Sequence, residues 1–191
     1  MLIRDATPAD AAGIAAIYSD AVENTTITWN VHPVDAEDRA AWIGAHARGG
    51  RPVLVALDTA PDEGATPPGD GSGTSGGHRV LGYAEYGRWR DFDGYLHSVE
   101  HSVYVRSDAR GRGTGRALMG ALIERARAQG VHVMVAAISG DNETSIRFHR
   151  DLGFRTCGVV EQAGTKFGRW LDLVLLQLIL DEDPPPHEPR T

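Results

Sequence analysis

Apolar residues recur with a helical period over the first fifty positions and mostly with a strand period after that. Ile14, Ile17, Tyr18 and Ala21 share one face of a helix predicted from Thr7 to about Glu23. Thr7-Pro8-Ala9-Asp10 opens it with an N-cap, a proline at the first helical position and an acid in the first turn. A polar, β-branched stretch, Asn24 to Trp29, follows as a loop or short strand. Asp35 caps a second helix that runs through Trp42 to Arg48 and stops at Gly49-Gly50. Pro52 to Leu57, Arg79 to Arg88 and Val99 to Val105 alternate or run apolar as strands, with an aromatic loop at 89–98. Leu118, Leu122 and Ala126 mark a helix over 113–129, and Val131 to Ile138 reads as a buried strand. A short helix over 142–152 ends at Gly153, and two closing strands lie near 156–160 and 170–180. With a further short strand at 2–6, the order is β, αα, βββ, α, β, α, ββ. The expected fold class is α/β (α+β), a mixed sheet with helices on its faces.

Composition refines this picture. The chain has 191 residues, enough for one domain over 1–180 with a sizeable core. Residues 59–78 are rich in Gly, Pro, Ser and Thr with almost nothing to bury, and read as a flexible insertion between strands. The acidic, Pro-rich end at 181–191 reads as a disordered tail. A net charge of −7 argues against a general nucleic-acid surface. The single Cys157 permits no internal disulfide and fits a reducing, cytoplasmic compartment. No apolar run approaches the roughly 20 residues a membrane helix needs, and no His/Cys/Asp cluster has metal-ligand spacing, so neither membrane nor metal is expected.

The segment Arg110-Gly111-Arg112-Gly113-Thr114-Gly115-Arg116 sits between a strand and a helix. Bare amides at a helix start, with three arginines beside them, suit a phosphate. The dinucleotide fingerprint fails, because Arg116 or Leu118 stands where its third glycine belongs, and the P-loop lysine is missing. A Gly-rich turn capping a surface helix remains the plain alternative. The spacing does fit R-x-x-G-x-G, as Arg110, Gly113 and Gly115. Downstream, Asn142-Glu143-Thr144-Ser145, Phe148-His149 and Gly153-Phe154 form a second motif beyond an apolar strand. Together the two motifs resemble those of the GCN5-related N-acetyltransferase (GNAT) superfamily. The stretches at 21–35, 86–95, 99–105 and 166–172 resemble its phosphinothricin and methionine sulfoximine/sulfone acetyltransferase branch over nearly the whole chain.

The resemblance implies a central mixed, mostly antiparallel sheet flanked by helices, acetyl-CoA as co-substrate and direct transfer to a small-molecule amine. It implies that Arg110, Gly111, Arg112, Gly113, Thr114, Gly115 and Arg116 cradle the pyrophosphate. Val103, Tyr104 and Val105 would pair with the pantetheine arm, and Asn142 would bind that arm; an ordinary core strand and a helix N-cap are the plainer readings. An acid inside an apolar strand is costly unless it is paired or faces a cavity, so Glu100 is the candidate general base, the alternative being a solvated edge acid. His149 and Tyr104 are candidate proton donors to the thiolate, although a lone helical histidine is often only packed. Arg90, Asp91 and Phe92, with Glu100, His101 and Ser102, would line the substrate site. Trp29, Trp89 and Phe92 would form an apolar wall, and Arg88, Arg90, Lys166 or Arg169 would hold a carboxylate. Where related chains tend to have arginine and proline, this chain has Leu96 and Asp91, which would weaken a doubly anionic substrate such as phosphinothricin. A homodimer is common in the family. A non-catalytic acyl-CoA sensor, or an enzyme for another amine or a protein N-terminus, are the alternatives.

Overall fold

The computed structural model describes residues 1–59, 74–75 and 78–181. Its strands are β1 (Leu2–Asp5), β2 (Val53–Leu57), β3 (Thr74–Ser75), β4 (His78–Arg88), β5 (Ser98–Val105), β6 (Val133–Ser139), β7 (Arg155–Lys166) and β8 (Arg169–Ile179). The helices are α1 (Ala11–Asn24), α2 (Ala36–Arg48), α3 (Thr114–Ala128) and α4 (Glu143–Asp151). Seven strands form one sheet in the order β1-β2-β4-β5-β6-β8-β7, and β3 pairs with the start of β4. Only β5 and β6 run parallel; every other pairing is antiparallel. The expected mixed, mostly antiparallel sheet is therefore present.

Strand alternation divides the core between two faces. Leu54, Ala56, Ala84 and Met134 meet Leu118, Met119 and Leu122 of α3 on one face, together with Phe154 after α4. Val53, Val55 and Tyr83 meet Ile14 and Ile17 of α1 and Ile43 of α2 on the other. Leu118 and Leu122 are fully buried, so truncating either to alanine would cost about 2–5 kcal/mol.

Boundaries shift where side chains intervene. Pro8–Asp10 forms a 3₁₀ turn before α1. Its Asp10 is fully buried, accepts from the Thr7 amide at 2.7 Å and is gripped by Arg4 at 2.7 and 2.9 Å. Asp35 caps α2 by accepting from the Asp38 amide at 2.8 Å, as its sequence implies. The last two strands are longer than expected. They close through Phe167 and Gly168, both at positive φ, after a bulge between Val160 and Gly164. Within the insertion expected at 59–78, Thr74–Ser75 pairs with Arg79 and His78. The remainder of that insertion from 60, and the tail from 182, lie outside the described residues. No helix among the described residues is long and apolar enough to cross a membrane.

Candidate active site

The site begins where the sheet opens. β5 pairs with β6 only from Ser98 to Glu100, opposite Val133 to Val135; beyond that, β6 continues to Ser139 against β8 alone. On its other side β5 stays paired with β4 along its length. Tyr104 opposes Tyr83, and the Arg106 amide donates to Leu81. Ladder direction alternates along a strand, so His101, Val103 and Val105 turn their backbone groups away from β4 and into the gap. The Arg110 side chain takes one of them, donating to the Val105 carbonyl at 3.3 Å.

Three contiguous cavities fill the opening, and Ile27 and Tyr104 line all three. The largest, about 510 Å³, lies between the start of α3, the start of α4 and α1. Val103, Tyr104, Val105, Arg110, Gly111, Gly113, Thr114, Gly115, Arg116 and Asn142 all line it; Arg112 is exposed and does not. Gly113, at φ +83°, caps α3 in a left-handed conformation that side chains resist, and its missing Cβ leaves open space. Thr114 is buried and donates to the Ala109 carbonyl at 3.4 Å, fixing the turn. The Asn142 side chain caps α4 by accepting from the Ser145 amide at 3.1 Å, which leaves its Nδ2 for a ligand. Exposed amides, a helix N-terminus and two arginines form a cradle for a pyrophosphate, and the edge of β5 suits an extended amide-bearing arm. Ile17, Asp20 and Ala21 of α1 complete this cleft; the sequence marks Ile17 and Ala21 only as part of a helix face and does not single out Asp20.

A second cavity of about 440 Å³ lies beyond Tyr104, lined by Trp29, Glu100, His101 and Ser102 as expected. Glu100 is half-buried. Desolvation, then the nearby Glu85 carboxylate, push its proton affinity up, while Arg90 pulls it down. Tyr104 stacks on Tyr83 at 5.1 Å and meets Tyr18 edge-on at 5.6 Å. Burial first, then Tyr18, hold its hydroxyl protonated far above the usual phenol range.

The small third cavity, about 60 Å³, holds His101 and His149 with ring centres 5.1 Å apart. Burial, then His149, push His101 down to about 3, and neither of its nitrogens has a partner. His149 is 2% exposed, and its Nδ1 lies 2.7 Å from the Ser145 carbonyl. A carbonyl only accepts, so the proton sits on Nδ1 and Nε2 carries a bare lone pair. Burial lowers its proton affinity as well. At neutral pH His149 has no proton to give from Nε2, and the geometry leaves Tyr104 as the candidate donor.

Arg90, Asp91 and Phe92 fall elsewhere. All three are exposed on the loop after β4, Phe92 at 77%, and none lines the cavity. Arg90 rests on Trp89 at 5.3 Å. Leu96 and Asp91 share that exposed loop. Lys166 is buried and donates to the Thr28 carbonyl at 2.6 Å, and Arg169 pairs with Asp141 at 2.9 Å, so both are engaged in holding structure. Together with a bond from Thr26 to Asp141 they strap the 25–30 loop, and with it Trp29, over the cavity. Sequence reasoning passed over Glu85, Arg39 and Trp42, which also line it. No group of three metal-ligating side chains occurs among the described residues.

The family model for the acetyltransferase (GNAT) family matches residues 14–154, and the chain belongs to that family. It is an enzyme of the N-acetyltransferase class. It is 56% identical over 179 residues to an L-methionine sulfoximine/L-methionine sulfone acetyltransferase of Pseudomonas paraeruginosa, spanning 94% of both chains. Among solved structures, it matches yncA of Salmonella typhimurium, determined with its cofactor acetyl-CoA, at a TM-score of 0.86 and 44% identity over 98% of each chain. It matches a phosphinothricin acetyltransferase of Sinorhizobium meliloti in complex with acetyl-CoA at a TM-score of 0.84 and 34% identity, covering 98% of this chain and 94% of that one.

Proposed function

We propose that this enzyme transfers acetyl from acetyl-CoA to the α-amino group of a small amino acid analogue, with methionine sulfone and sulfoximine as foremost acceptors. The observation that carries the reading is the meeting of two cavities at Tyr104, with Glu100 on the wall of the acceptor side. The cradle of Arg110, Gly111, Gly113 to Arg116 holds the pyrophosphate, and the free edge of β5 orients the arm. Acetyl-CoA supplies the acetyl group as a thioester. Glu100 takes a proton from the acceptor ammonium, directly or through water, and the free amine attacks. The C–S bond breaks as the Tyr104 hydroxyl gives a proton to the departing thiolate, and the proton shed by the acylated nitrogen restores the phenol. Oriented binding of both partners does the rest, without a covalent enzyme intermediate.

The likeness to the Pseudomonas and Sinorhizobium enzymes supports this acceptor class. We place the reaction in the cytoplasm, on the strength of the single unpaired thiol. We further propose a homodimer. Among the described residues nothing pairs with the outer edge of β7, and Val159, Val160, Phe167 and Trp170 of the β7–β8 arm are exposed.

Thiol release from acetyl-CoA tests the reading, with methionine sulfone, methionine sulfoximine, phosphinothricin and a lysine peptide as acceptors. Turnover fastest with the sulfone and sulfoximine supports it. Tight acetyl-CoA binding with no turnover on any amine would support a sensor instead, and turnover on the peptide alone would support a protein acetyltransferase.

A further inference from the structure

Glu85 belongs to β4, in the run Leu81-Gly82-Tyr83-Ala84-Glu85-Tyr86, where alternation sets it on the face of Leu81 and Tyr83 without saying what lies beside it. Register supplies that. Glu85 opposes Ser102, and Glu100 opposes Gly87 two pairs further along, so both carboxylates stand on the same face of neighbouring strands. Both line the acceptor cavity. The Glu85 side chain is only 14% exposed, and His46 of α2 reaches it with Nε2 at 3.2 Å. The same imidazole places Nδ1 3.1 Å from the Trp42 carbonyl, which only accepts. The two contacts together hold the ring, and with it the Glu85 carboxylate, in place.

The other groups facing Glu100 are easily counted. Arg39 of α2 also lines the cavity, but it is committed to Asp38 at 2.5 and 2.8 Å and lies over the rings of Tyr18 and Trp42. Arg90 acts from the exposed loop beyond β4. Tyr18, Tyr83 and Tyr104 are phenols, His101 is buried, and β6 and β8 bring only Ala137, Ser139 and Leu173. Two carboxylates thus share one small, partly desolvated chamber, where charge matters more than it does in water.

We propose that Glu85, held in place by His46, is a second carboxylate of the acceptor site that selects by charge: it favours a cationic ammonium group on a molecule with an uncharged side chain and turns away one carrying a further anion. The inference rests on the acceptor reading above and deepens it. Like-charge opposition in a confined site is an effective way to reject a near-isosteric competitor.

Two variants give opposite signs. Glu85→Gln keeps the shape and the contact to His46 but removes the charge. Its ratio of kcat/KM for methionine sulfone over phosphinothricin is expected to fall about tenfold, the size of effect one nearby charge exerts in such a site. His46→Gln keeps a neutral donor to Glu85 but removes a ring able to carry positive charge beside it, and the same ratio is expected to rise. Side-chain NMR titration of Glu100 needs no substrate and provides the separate readout. Glu100 is expected to titrate at lower pH in Glu85→Gln than in the wild type. An unmoved Glu100 titration, or a moved titration with an unchanged substrate ratio, overturns the inference. A titration that moves in Glu85→Gln, while the wild-type enzyme turns over neither amine, overturns the acceptor reading alone and upholds the coupling of the two carboxylates.

Discussion

The fold strongly constrains the protonation of His101. It is buried against His149 and Phe154, has no hydrogen-bond partner, and titrates near 3 rather than 6.5. An unfolded chain therefore binds a proton that the folded chain refuses between those values. The contribution is whole above pH 6.5 and is lost as the pH falls toward 3. At about 1.4 kcal/mol per pH unit, this amounts to roughly 3 kcal/mol by pH 4. His101→Phe is expected to flatten that acid slope, read as urea stability at pH 7 and pH 4.5; an unaltered slope would assign the loss elsewhere. The same scale shows what a sequence can and cannot disclose. Glu100 is legible because an acid between Val99 and His101 must answer for its burial. Glu85 stands between Ala84 and Tyr86 in the same way, but only strand register shows that it lies beside Glu100. Arg90, Asp91 and Phe92 were named through resemblance, and the structure sets them on an exposed loop.

The elements carry the site through a few tight joints. Helices and strands were legible because their apolar periods are long and their caps explicit, as at Asp35 and Gly113. The 25–30 loop was not, because its order comes from partners more than a hundred residues away: Lys166 on Thr28 and Asp141 on Thr26. Gly164 is the clearest joint. A Cβ there would overlap the Trp29 indole, so the bulge of β7 must lack one for the loop to lie flat over the acceptor cavity. Gly164→Ala is expected to displace Trp29 and raise KM for the amine several-fold, with a smaller change in KM for acetyl-CoA, because the cradle at 110–116 is built from a different part of the chain and the loop lines that cleft only through Ile27. Steady-state kinetics with each partner varied in turn checks this; equal changes in both constants would contradict it.

At the scale of the molecule, one local break in one sheet creates the enzyme. The sequence order of strands and helices was readable, but the parting of β5 from β6 after Glu100 is a fact of register that no single strand encodes. The sheet's far edge belongs to the exposed β7–β8 arm, and Trp170 is 66% exposed there. If that arm joins two copies, Trp170→Glu is expected to give monomers by light scattering, whereas an unchanged mass would remove the arm from the interface. Turnover at the joined cavities is proposed to depend on Glu100 taking the proton of the amine. The most direct measurement is the pH dependence of thiol release from acetyl-CoA with methionine sulfone, for the wild type and Glu100→Gln. The base acts deprotonated and its proton affinity is raised, so wild-type kcat/KM should fall on the acid side above the range of a free carboxylate. Glu100→Gln should lose about 10²–10⁴-fold and that acid limb with it. A mutant retaining wild-type kcat/KM and the same acid limb would contradict the account.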